Sequence, residues 1–323
     1  MSKQLDYYLW VEKYRPSCLK EVILPSSLRK LITNWVEVDK QIPNLILYAA
    51  RPGNGKTTIS KVIVNELNAD SIYINASKDT GIDVLRSTIQ KFAVSKSFDG
   101  RPKIVILDEL GNSGVSTLQD GLRAFIEEFH KSCRFIITTN YISKIIEPLK
   151  SRCQTLDFNF SDTDTIKELT PKIAKRLVSI LDNEGIGYDG PTVLKLVDIH
   201  FPDFRRMISL CQQYSKTSFN VETGKSFIDA NIFKAYEVDD SFYKSLLDGK
   251  LVDCRKYLID RSVVYDEMFR KLYDDFIPLL SNDKKSQIIL LINEYMFKHQ
   301  FVIDKEINFA ALMIEIVSVI KGG

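Results

Sequence analysis

Cysteine is scarce and scattered in this chain. The five cysteines, at 18, 133, 153, 211 and 254, are odd in number and form no C-x-x-C pair. That pattern argues against a disulfide framework and a zinc site, and it fits a reducing cytosol. Long apolar runs are missing as well. No stretch of eighteen apolar residues occurs, so no membrane span is expected. The opening residues, Met1-Ser-Lys-Gln-Leu-Asp6, lack the apolar core of a signal peptide, and a cytoplasmic location is expected. Nor is there an excess of one charge. Lys and Arg number 44 against 42 Asp and Glu, so any surface for nucleic acid must be a local patch. No internal repeat or low-complexity tract is visible. The remainder is 45% hydrophobic and 27% charged, which fits a globular chain, and 323 residues are enough for two or three domains.

Against this plain background one stretch stands out, Tyr48-Ala-Ala-Arg-Pro-Gly-Asn-Gly-Lys-Thr-Thr58. It follows the apolar run 45–48 and precedes a helical pattern over 59–67. Strand, glycine-rich loop and helix in that order make a phosphate cradle. Gly53 and Gly55 let the backbone turn tightly, so that N–H groups around Asn54 and Thr58 can face phosphate oxygens. Lys56 is placed to reach the β- and γ-phosphates of ATP, and Thr57 to hold Mg²⁺ through its hydroxyl. The pattern G-x-x-x-x-G-K-[ST] is met except at its first position, where Ala50 stands.

A second element agrees. Lys103-Ile-Val-Ile-Leu-Asp-Glu-Leu110 reads as a buried strand ending in two carboxylates. Ligands of parallel sheets sit at the carboxyl ends of the strands. Asp108 is therefore placed to support Mg²⁺, and Glu109 to orient and polarise an attacking water. A third buried strand, Cys133-Arg-Phe-Ile-Ile-Thr-Thr-Asn140, ends in the amide Asn140. Pro148-Leu-Lys-Ser-Arg-Cys153 follows. On its own, Arg152 there reads as an ordinary surface arginine.

Taken together and in this order, these segments resemble the AAA+ ATPases, and within them the subunits of sliding-clamp loaders. Trp10-Val-Glu-Lys-Tyr-Arg-Pro16 resembles the family's adenine-binding segment, which implies nucleotide contacts from Val11, Glu12, Lys13 and Tyr14, with Ile23 beyond them. Asn140 resembles the sensor beside the γ-phosphate. Phe201-Pro-Asp-Phe-Arg-Arg206 resembles the second sensor, with Arg205 at the nucleotide. Ser151-Arg152-Cys153 resembles the motif whose arginine enters the neighbouring subunit's ATP site, where a guanidinium neutralises charge developing in phosphoryl transfer. The resemblance spans residues 10 to 210 at least. It is nearest to the large clamp-loader subunits of T-even-type bacteriophages, with replication factor C small subunits next. It implies a sliding clamp, primer–template DNA and a pentamer of four copies with one smaller subunit, working in the cytoplasm of a bacterial host.

The implied fold is an α/β P-loop AAA+ module over 1–160, a small helical lid domain over 161–236, and an all-α collar domain over 237–323. Strands are expected at 45–48, 71–75, 104–107, 134–139 and 154–158. Helices are expected at 163–184, with Asp162 or Ser161 as cap, and at 190–199, 203–214 and 223–235. Apolar stripes through Ile288, Ile289, Leu291, Ile292, Tyr295 and Met296, and through Ile307, Phe309, Ala310, Leu312, Met313, Ile316, Val317 and Ile320, predict packed helices near the end of the chain.

DNA contact is expected from the stretch 76–86. Helix starts bind phosphates without reading bases. Gly81 and Ile82 would open such a helix, with Lys78, Thr80 and Arg86 adding side chains. By spacing alone the same stretch is a solvated helix start capped by Asp79 or Asp83; the family pattern favours DNA. Gln119 and Arg123 resemble positions that couple DNA to the acidic pair. Two other classes stay open. One is an AAA+ DNA motor or helicase loader of the branch-migration type. The other is a scaffold holding nucleotide as a structural ligand.

Overall fold

The computed structural model describes residues 8–76, 82–95, 97, 100–111, 116–217, 219–220, 225–233, 238–261 and 263–322. Contacts divide the chain into two compact units, 1–229 and 230–323.

The first unit is built on a five-stranded sheet. Its strands are β1 (Leu45–Tyr48), β2 (Asp70–Asn75), β3 (Lys103–Asp108), β4 (Arg134–Thr139) and β5 (Gln154–Asp157). They run parallel in the order β2-β3-β4-β1-β5. The central strands are apolar without alternation because helices cover both faces. Every residue of β3 is buried, and β1 and β4 are almost as dry. The core joins Ile46, Val105, Leu107, Phe135 and Ile137 to Leu122 and Ile126 of the helix Ser116–Glu128 and to Phe129 just past it. Burying side chains of this size contributes about 2 kcal/mol each. Since β1 lies between β4 and β5, the chain must leave it across two strands to reach β2. That reversal opens a crevice at the carboxyl ends of β1 and β3.

The segment after β5 turns helical. Asp162 caps the helix Thr163–Asn183 by accepting from the Thr165 backbone N–H at 2.8 Å. The helices Gly190–His200 and Phe204–Thr217 follow. The helix expected over 223–235 does not form. Among the described residues there, Lys225–Ile228 is a strand, β8, pairing with β6 (Gly187–Tyr188) and β7 (Phe219–Asn220). The reason is a neighbour in space. Phe227 lies against the bare α-carbon of Gly187, where a Cβ would sit 2.6 Å from the ring.

The amino-terminal segment is clipped to these helices. The Trp10 N–H donates to Gln212 at 3.0 Å, Lys13 meets Glu184 at 2.5 Å, and Arg176 donates to the Tyr14 carbonyl at 3.1 Å.

The second unit is helical. Its longest members are Asn282–Lys298 and Lys305–Lys321, the latter capped by Asp304 through the Ile307 N–H at 3.1 Å. Its core gathers Phe242, Phe269, Phe276, Ile288, Ile292, Phe309, Leu312 and Ile316. Met296 and Ile307, apolar by period, are exposed. No helix among the described residues is long and apolar enough to cross a membrane.

Candidate functional site

The glycine-rich loop joins β1 to the helix Lys56–Glu66. Gly53 and Gly55 have φ of 85° and 88°, a region that side chains resist, so glycine is required at both turns. A Cβ on Gly53 would also meet the Asp203 carboxylate at 1.8 Å. Gly55 is the N-cap of the helix, and no side chain caps it. Its first N–H groups are left facing the loop, as an anion site needs.

Lys56 is buried at the centre of this loop. Its ammonium donates to the carbonyls of Arg51 at 3.2 Å and Ala49 at 3.4 Å. Burial pushes its pKa down to about 8, while the Asp108 charge pulls the other way. A buried cation held only by carbonyls is under-neutralised, and a polyphosphate would supply the missing charge. Lys56, the two glycines and the uncapped helix start thus fit a nucleotide.

Asp108 ends β3 and is 5% exposed. Three hydroxyls converge on it. Thr57 donates at 3.0 Å, Thr138 donates at 2.5 Å, and the Tyr73 hydroxyl donates to Oδ2. A buried carboxylate beside the Thr57 hydroxyl is the hard-oxygen donor set that a divalent cation takes, so the residues present fit Mg²⁺. Glu109 follows and is exposed to the crevice. Its backbone is left-handed, φ 60°, and its N–H donates to Thr138 Oγ1 at 3.0 Å. This turn aims the second carboxylate away from the first.

Asn140, just past β4, brings its amide to the same crevice, and its side-chain oxygen is buried with no hydrogen-bond partner. Asn54 is also buried, its amide donating to the Phe158 carbonyl at 2.8 Å. The crevice lining further includes Val11, Tyr14, Ile23, Thr58 and Arg205. The structure therefore gathers most of the residues singled out by sequence.

Several are not gathered. Glu12 and Lys13 do not line the crevice. Glu12 forks Arg15, which holds its carboxyl below the ordinary range, and Lys13 pairs with Glu184. Arg152 also lies outside the lining. It donates to Glu127 through Nε at 2.7 Å and through Nη2, and to the Pro148 carbonyl through Nη1 at 2.8 Å. Gln119 is a structural staple, donating to the Lys144 carbonyl at 3.0 Å and accepting from the Ile146 N–H at 2.9 Å. Arg123 leans on Glu127 at 3.9 Å. Lys78, Thr80 and Gly81 lie outside the described residues. Ile82 opens the helix Ile82–Val94, which also carries Arg86.

The sequence reading missed four participants. Thr138 and Tyr73 reach Asp108 across the sheet, Arg176 joins the lining, and Asp203 sits on the loop at Gly53. Thr138 could have been found, because it lies near the end of β4, two residues before Asn140.

Comparison with known proteins agrees with this geometry. Residues 46–159 match the ATPase family associated with various cellular activities (AAA). The sliding-clamp-loader large subunit of Escherichia phage RB69 is 36% identical over 276 residues, 83% of each chain. That of Enterobacteria phage T4 is 33% identical over 314 residues, 94% of each chain. The replication factor C small subunit of Archaeoglobus fulgidus is 31% identical over 91% of this chain and 92% of its own. Among solved structures, the Thermotoga maritima RuvB Holliday junction branch migration motor superposes with a TM-score of 0.55 at 18% identity. It covers 78% of this chain and 86% of its own, a likeness of fold. With its phosphate loop, acidic pair and relatives that match nearly end to end, the chain belongs to the sliding-clamp-loader family of AAA+ ATPases.

Proposed function

We propose that this chain is an ATPase subunit of a clamp loader that opens a sliding clamp, places it on primer–template DNA and hydrolyses ATP between subunits. The observation that carries the reading is the contrast at Lys56 and Arg152. The first is buried in an anion cradle with carbonyls as its hydrogen-bond acceptors and no carboxylate in ion-pair contact among the described residues, and the second sits on the subunit's own surface beside Glu127.

In this reading the loop N–H groups around Gly53, Asn54, Gly55 and Thr58 bind the phosphates, and Lys56 neutralises the β- and γ-oxygens. Thr57 and Asp108 would hold Mg²⁺, which when bound would screen the phosphate charge. Glu109 orients a water in line with the γ-phosphorus and draws off its proton. Asn140 and Arg205 contact the γ-phosphate, so the lid helix Phe204–Thr217 responds to its presence. Val11, Tyr14 and Ile23 pack the base, while Glu12 and Lys13 fix the segment that carries them. Arg152 completes the site of a neighbouring copy.

The stretch with Lys78, Thr80, Gly81, Ile82 and Arg86 serves the DNA phosphates. Residues 161–236 act as the lid, and 237–323 as the collar. The assembly is four copies with one smaller subunit, working in the cytoplasm of a phage-infected bacterium. The name large subunit in the phage relatives speaks for a smaller companion subunit, and their phage sources speak for an infected host.

The test is the ATPase rate with primer–template DNA, with and without a ring clamp. A loader needs both for full rate. Full rate with DNA alone would make the chain a motor, and a rate indifferent to both would make it a scaffold.

A further inference from the structure

Tyr73 lies on β2, two residues before the strand ends, and in register opposite Ile106 of β3. From there its hydroxyl reaches diagonally to Asp108, whose register partner is Asn75. The ring is half exposed, yet it is held at both ends. Lys61 of the loop's helix sits 5.3 Å from the ring centroid, and the hydroxyl donates to Asp108 Oδ2. Tyr73 is therefore a fixed donor.

The other two donors to Asp108 have different fates. The Thr57 hydroxyl is the one group that must leave the carboxylate if its oxygen is to face a cation. The Thr138 hydroxyl is tied at once to Asp108 Oδ1 and to the Glu109 N–H. When Thr57 turns away, two donors keep the carboxylate in plane. Thr138 grips Oδ1 and Tyr73 grips Oδ2. A carboxylate gripped at both oxygens keeps one lone pair on each for a cation's water shell.

We propose that Tyr73 is a positioning residue for Asp108, fixing the carboxylate that meets the divalent cation. The proposal rests on the reading of Asp108 as a metal-supporting group. It gives β2 a task in the reaction, since the edge strand would carry a partner of the carboxylate on β3. It also separates two properties of the crevice. Nucleotide affinity without metal should be set by the loop and Lys56, and metal affinity by the hydroxyls around Asp108.

The experiment uses the full chain with three proteins: wild type, Tyr73→Phe and Asp108→Asn. Tyr73→Phe keeps the ring and its contact with Lys61 and removes only the donor. Fluorescent ATP is titrated in EDTA, and Mn²⁺ binding to the nucleotide-loaded protein is read by electron paramagnetic resonance. Circular dichroism and melting verify the fold. Tyr73→Phe should bind nucleotide in EDTA as wild type does, and its Mn²⁺ affinity should fall by about tenfold, as expected for loss of a partner behind a ligand. Unchanged Mn²⁺ affinity, or tighter binding, overturns the proposal, the latter by making Tyr73 a competitor of the cation. Asp108→Asn controls for the underlying reading. If it leaves Mn²⁺ affinity unchanged, the metal assignment itself falls. If it weakens Mn²⁺ while Tyr73→Phe does not, only the role of Tyr73 falls. A Tyr73→Phe protein weakened equally in EDTA and in Mn²⁺ has lost general site structure and also refutes the proposal.

Discussion

The crevice and the Ser151-Arg152-Cys153 turn are opposite kinds of construction within one unit. In the crevice, Lys56 and Asp108 are buried and their partners come from the loop, β2 and β4. At the turn, Arg152 is partly exposed, and its partners are Glu127 on the helix Ser116–Glu128 and the carbonyl of Pro148. The first arrangement is preorganised within the chain. The second holds a guanidinium ready at the surface, bonded to a carboxylate that phosphate oxygens could replace. In the proposed function, a subunit built this way carries a nearly complete binding site and takes the arginine for hydrolysis from its neighbour.

The largest expected effect tests the buried half. Lys56→Ala removes the buried cation of the loop, and tight ATP binding should be lost outright by calorimetry. Its counterpart, Glu109→Gln, should bind ATP normally and fail to turn it over. Normal turnover by Glu109→Gln would deny that carboxylate its role.

Next comes the surface half. Arg152→Ala should bind ATP almost normally, and the assembly should hydrolyse it on the order of 10³-fold more slowly. Mixing makes the comparison sharper. Neither Lys56→Ala nor Arg152→Ala subunits should support normal turnover alone, but in mixed rings some ATPase activity should return. There an Arg152→Ala copy binds ATP while a Lys56→Ala neighbour supplies the arginine. A fully active Arg152→Ala protein would erase the contrast between the two regions.

A smaller effect concerns DNA. Arg86→Ala should lower the magnitude of the salt slope of DNA binding by about one unit, since one phosphate contact releases about one counterion. An unchanged slope and affinity would take Arg86 off the DNA surface. Smallest is the cap outside both regions. Asp162→Ala should cost about 1 kcal/mol of stability in denaturant unfolding while leaving nucleotide affinity alone. A loss of affinity would mean that the start of that helix belongs to the site.

The central strands were legible because a strand buried on both faces must be apolar without interruption. β1 and β4 fall on the expected residues, 45–48 and 134–139, and β2, β3 and β5 within a residue at each end. The phosphate loop was legible for a different reason, since positive φ at two turns requires glycine there. The strand at 225–228 was not, because four residues are too few to show a period and only the spatial neighbour Gly187 decides them. The donors to Asp108 were hidden by topology. Tyr73 and Thr138 are 35 and 30 residues from it in the chain, and they meet it only because β3 lies between β2 and β4. The partner of Arg152 was hidden in the same way. Glu127, 25 residues away, looks like any solvated helix charge until the turn folds against it.

The left-handed backbone of Glu109 sets folding against chemistry at a single position. An L-residue held at φ 60° costs about 1–2 kcal/mol, and glycine at that position would not pay it. Glu109→Gly should therefore melt at a higher temperature than Glu109→Gln, and on the proposed mechanism neither should hydrolyse ATP. A directed-evolution campaign scored on heat resistance alone would drift toward glycine at 109 and lose the enzyme while improving the protein.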